Sequence, residues 1–145
     1  MATDGLPDLS PKVVFAHLCD YAGFADRGKP IIVGAFDMLY RVDPTTPITL
    51  AQCHFIAKVE ASIATGTDHE IDISVRTEDE TEVHRIGFGR VQFKPAGPGR
   101  PFSALVIVGL TGLPFPSVGD YTFQVIVDGQ KAGEAPFYVV EAPAS

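Results

Sequence analysis

The chain of 145 residues has no tryptophan, two cysteines, two methionines and no run of apolar residues near the roughly 20 that a membrane helix needs. Each scarcity excludes something. With only Cys19 and Cys53 available, a disulfide-dense secreted scaffold is ruled out, and the two thiols read as small buried hydrophobes rather than a bridge. Basic residues are also few: 11 Lys and Arg against 18 Asp and Glu leave a net charge of −7, the wrong sign for a phosphate backbone, so nucleic acid is not an expected partner. The first ten residues lack a basic start and an apolar stretch, so no signal peptide is read there, and a cytoplasmic location without membrane contact is the default expectation.

Apolar residues make up 46% of the chain and amphipathic helical periodicity is absent. The patterning is instead strand-like. Residues 1–10 read as a flexible leader, 11–141 as a single domain and 142–145 as a tail, and the length is enough to bury a core without a staple. Between leader and tail the alternation predicts about eight strands and an all-β, immunoglobulin-like antiparallel sandwich. The signal is clearest over Cys53–Ile63, where Cys53, Phe55, Ala57, Val59, Ala61 and Ile63 alternate with His54, Lys58, Glu60 and Ser62. Tyr121, Phe123, Val125 and Val127 repeat the pattern after a Pro/Gly turn, and Asp128-Gly129 suits a type I′ hairpin. Tyr121 is placed to bond back to upstream backbone as a tyrosine corner. Two further strands, Lys12–Tyr21 and Pro30–Val42, are apolar on both faces, which predicts central strands covered on each side.

The segments Phe15–Ala22, Ile32–Asp37, Gly112–Pro116, Gly119–Tyr121, Val127–Gly129 and Phe137–Val140 resemble an uncharacterised family of small bacterial β-sandwich proteins of unknown function. The resemblance spans about Val13 to Val140 and implies the fold and a bacterial origin, with no catalytic residues to carry over. One departure stands out: the strand Phe102–Leu110 is more apolar on both faces than that family's pattern.

Familiar catalytic signatures are absent: no Gly-x-Ser-x-Gly, P-loop, dinucleotide fingerprint or His-Glu-x-x-His occurs. His17 and Cys19 share a face of the first strand with Asp20 opposite, and the hairpin register would set His17 across from Asp37. That polar cluster reads first as a buried hydrogen-bonded pair and second as a Cys/His/Asp site. His54 reads as a surface residue, His69 and His84 as exposed loop histidines, and the acids from Asp68 to Glu82 as solvated edge charge. Phe102, Ala104, Val106, Val108 and Leu110 fill one face of their strand, yet Leu105 and Ile107 are apolar on the other. A half-exposed strand carries polar residues there, so Leu105 and Ile107 are the candidate interface.

The expectation is therefore a non-enzymatic structural or protein-interaction module without cofactor or metal. It would bind a protein partner or self-associate, by strand edges or through Leu105 and Ile107, with twofold symmetry the commonest outcome. The other class left open is a small ligand- or metal-binding protein, or an enzyme of unfamiliar design, with its site at His17, Cys19, Asp20 and Asp37.

Overall fold

The computed structural model describes residues 9–143. Residues 1–8 of the expected leader and 144–145 of the expected tail lie outside them. Twelve strands form an all-β sandwich. The first sheet has the order β2-β1-β5-β9-β8 and the second β3-β12-β11-β6-β7, with a small two-stranded β10-β4 sheet between their ends. The strands of the first sheet are β1 (Lys12–Phe24), β2 (Pro30–Phe36), β5 (Cys53–Ala61), β8 (Lys94–Pro95) and β9 (Phe102–Leu110). The second contains β3 (Met38–Arg41), β6 (Asp68–Thr77), β7 (Glu82–Gln92), β11 (Gly119–Val127) and β12 (Gln130–Glu141), and the small sheet is β4 (Ile48–Leu50) with β10 (Leu113–Phe115).

Period-2 patterning explains the core. Phe55, Ala57 and Val59 from β5 meet Phe123 and Val125 from β11 and Phe137 and Val139 from β12, all of them fully buried. Phe55 stacks on Phe123 at 5.6 Å across the two sheets, and each such ring contributes about 1.5–3 kcal/mol by leaving water. At one end Phe115 lies 4.9 Å from the Tyr121 ring, whose hydroxyl donates to the Ser117 carbonyl at 2.6 Å and thereby ties the turn to the core. This is the expected tyrosine corner. Asp128 (φ 51°) and Gly129 (φ 79°) supply the two left-handed residues that a type I′ turn requires.

Three sequence expectations are corrected. The segment Pro30–Val42 is two strands: the chain leaves the first sheet at Phe36, crosses at Asp37, and enters the second sheet as β3, parallel to β12. Neither piece is central. β2 is a sheet edge with most of its side chains exposed, because only β1 lies beside it. The β5 alternation stops at Ala61, and Ile63 is half exposed in a short 3-10 turn. Gly34 of β2 adopts φ 68°, and a β-carbon there would stand 2.3 Å from the Asp20 carboxylate, so the position admits only glycine without displacement.

Candidate functional site

The four residues of the polar cluster do not converge. The β1–β2 register is the expected one, pairing Leu18 with Phe36, but His17 is exposed, stacks on Phe15 at 5.8 Å, and makes no hydrogen bond to Asp37. The buried His17–Asp37 pair is thus corrected: pairing ends at Phe36, one residue short of Asp37, whose carbonyl instead accepts from the Tyr138 amide. Cys19 is buried and its thiol donates to the His54 carbonyl at 3.7 Å, while the exposed Asp20 carboxylate lies against Gly34. Both cysteines are free and buried, and the Cys53 thiol is pushed up to about 11, by burial first and then by neighbouring Cys19 and Asp20. Thiols held protonated in this way are poor nucleophiles. Among the described residues no group of three His, Cys, Asp or Glu side chains is placed to hold a metal ion.

The histidines also depart from expectation. His69 is 2% exposed in β6; its Nδ1 lies 2.7 Å from Oδ2 of Asp128 and its Nε2 3.0 Å from the Gly66 carbonyl. Both ring nitrogens face oxygen acceptors. The signal was in the alternation, since His69 shares parity with Ile71, Ile73 and Val75 on the core face. His84 lies in β7, bonded to the Pro114 carbonyl and edge-on to Phe115. His54, expected at the surface, is half-buried against Tyr21 at 5.5 Å, with a buried Nδ1 that has no hydrogen-bond partner among the described residues.

The two outer faces of the sandwich differ in chemistry. On the second sheet, Asp72 pairs with Arg85 at 3.0 Å, Glu82 with Arg76 at 3.5 Å, and Asp68 with Arg90 at 3.8 Å. Gln124 donates to Glu80 at 2.9 Å, Arg76 donates to the buried Ser74, and Arg41 pairs with Glu141. The acids of the β6–β7 region thus form a polar face laced with arginines. On the first sheet, the register places Leu105 opposite Lys58 and Ile107 opposite Ile56. Leu105, Ile107 and Phe15 pack, half-buried, around a second apolar cluster of Cys19, Ala22 and Ile56, separate from the main core. Tyr21 (51% exposed) and Val33 (53%) extend it toward the free edge.

Charge is divided the same way. β1, β2, β5, β8, β9 and the turns joining them hold six of the eleven Lys and Arg but three of the eighteen Asp and Glu. Among the described residues, surface hollows include ones of about 340 Å³ lined by Ile71, Phe88, Val106 and Val108 and by Val83, His84, Pro114 and Phe115. Among the described residues no helix is long and apolar enough to cross a membrane.

A family described as a family of unknown function (DUF6941) matches residues 14–140. No curated protein matches the chain. Among solved structures, the crystal structure of a β-glucosidase from Listeria innocua in complex with isofagomine matches at 9% identity and a TM-score of 0.42. It covers 78% of this chain and 18% of the other, so the chain spans under a fifth of that protein's length, and the likeness carries no inference about activity.

Proposed function

For a chain that belongs to this family of unknown function, we propose a role as a non-enzymatic protein-interaction module that contacts its partner through the outer face of the first sheet. One observation carries the reading. The outer face of the second sheet engages Asp68, Asp72 and Glu82 in pairs with arginines, whereas that of the first presents Phe15, Tyr21, Leu105 and Ile107 around a buried apolar nucleus. Burying a side chain at about 25 cal/mol per Å² of apolar surface favours contact there and gives little on the charged face.

Site-specific photo-crosslinking in the source cell tests the proposal. A crosslinking amino acid at position 107, on the first sheet, is expected to give a discrete protein adduct that the same group at position 122, on the second, does not. No adduct at 107, or the same adduct from both positions, would contradict it.

A further inference from the structure

The free side of the sandwich, formed by β2 and β3, differs from its other edges. Among the described residues twelve large apolar side chains are exposed, and eight of them lie on the single stretch from Tyr21 to Val42: Tyr21, Phe24, Ile31, Ile32, Val33, Met38, Tyr40 and Val42. Edge strands of stable monomers are blunted by shortness, proline, charge or bulges, because an unpaired row of amides and carbonyls templates another strand. The other end of the first sheet follows that rule, since β8 has two residues, Lys94 and Pro95. So does β7, which carries Glu82, Arg85 and Arg90 and has two register shifts against β6. β2 does not. It has seven residues with no charge, and its one proline is at the first position, where it leaves the rest of the strand's donors in place.

We infer that β2 pairs antiparallel with β2 of a second copy of this chain about a twofold axis at Val33, joining two five-stranded sheets into one of ten strands. The sequence is self-complementary in that register. Val33 meets its own copy, Ile31 meets Ala35, and Pro30 meets Phe36, so apolar groups face one another on both sides of the new pair. The net negative charge does not oppose the arrangement. Most acids sit on the second sheet, and the Arg-laced β6–β7 hairpin is at the edge farthest from β3, so pairing sends the acidic ends of the two copies outward. This rests on the free edge, not on the outer face that carries the proposed partner contact.

Sedimentation equilibrium on the full chain tests the pairing. The wild type is expected to be a dimer, and Val33→Lys, at a half-exposed position that tolerates lysine in the monomer, is expected to be a folded monomer by circular dichroism. Ile31→Lys, placed opposite Ala35 of the other copy in that register, should weaken the dimer in the same way. A wild-type monomer, or a Val33→Lys dimer as tight as wild type, would overturn the inference. A dimer kept in Val33→Lys but lost in Leu105→Lys/Ile107→Lys would overturn edge pairing while leaving the outer-face reading in place. A wild-type monomer that still forms the position-107 adduct would do the same.

Discussion

His69 shows how much one side chain can organise. It packs on Phe93 at 4.6 Å, bonds Gly66 at the end of the β5–β6 connection, and bonds Asp128 in the β11–β12 turn, so it joins three segments distant in sequence. His69→Ala removes a buried ring and leaves oxygens unsatisfied, for an expected loss on the order of 2–4 kcal/mol in denaturant unfolding. Asp128 adds a pH dependence. Its partial burial raises the carboxyl, but hydrogen bonds from His69 and the Glu70 amide, with the charges of His69 and Arg90, outweigh that and hold it below the usual carboxylate range. A depressed carboxyl contributes stability above its unfolded value of about 3.9, lost as pH falls through the folded value. The stability gap between wild type and Asp128→Asn should therefore be flat near neutrality and close in acid. A gap unchanged into acid would show that the Asp128 charge is not what stabilises the turn.

At the scale of elements, alternation made most long strands legible. β9 has the bounds that the sequence indicated, and β5, β6 and β11 turn the expected residues inward, because a half-buried strand must alternate. Pattern failed where both faces are apolar. Pro30–Val42 looked central, yet an apolar strand at a free edge has the same composition as a covered one, and only topology separates them. The short β4 and β10 strands hold too few residues to show a period. The candidate residues divided in the same way. Leu105 and Ile107 lie on the outer face as parity required, whereas the His17 and Asp37 pairing failed because the chain changes sheets at Asp37. Since Leu105 and Ile107 sit outside the main core, Leu105→Lys/Ile107→Lys should keep the far-ultraviolet spectrum and a cooperative unfolding transition. An unfolded double variant would instead place the second apolar cluster among the determinants of folding.

As a whole molecule, the sandwich is finished on one side and open on the other. The second sheet pairs Asp68, Asp72 and Glu82 with its arginines, and the first leaves an apolar face, a free edge and a modest excess of basic residues. The small sheet and the tyrosine corner close one end and stiffen the frame that displays them. In the roles proposed for them, the apolar face would take a protein partner and the free edge a second copy.

The most direct measurement is hydrogen exchange of the wild-type chain, resolved to residues 30–36 and followed over a wide range of protein concentration. Amides of β2 that face outward are unpaired in a single copy, so they are expected to exchange quickly when dilute and to become protected as concentration rises, with β8 unchanged. Exchange in β2 that is equally fast at every concentration would contradict association through the open side of the sandwich.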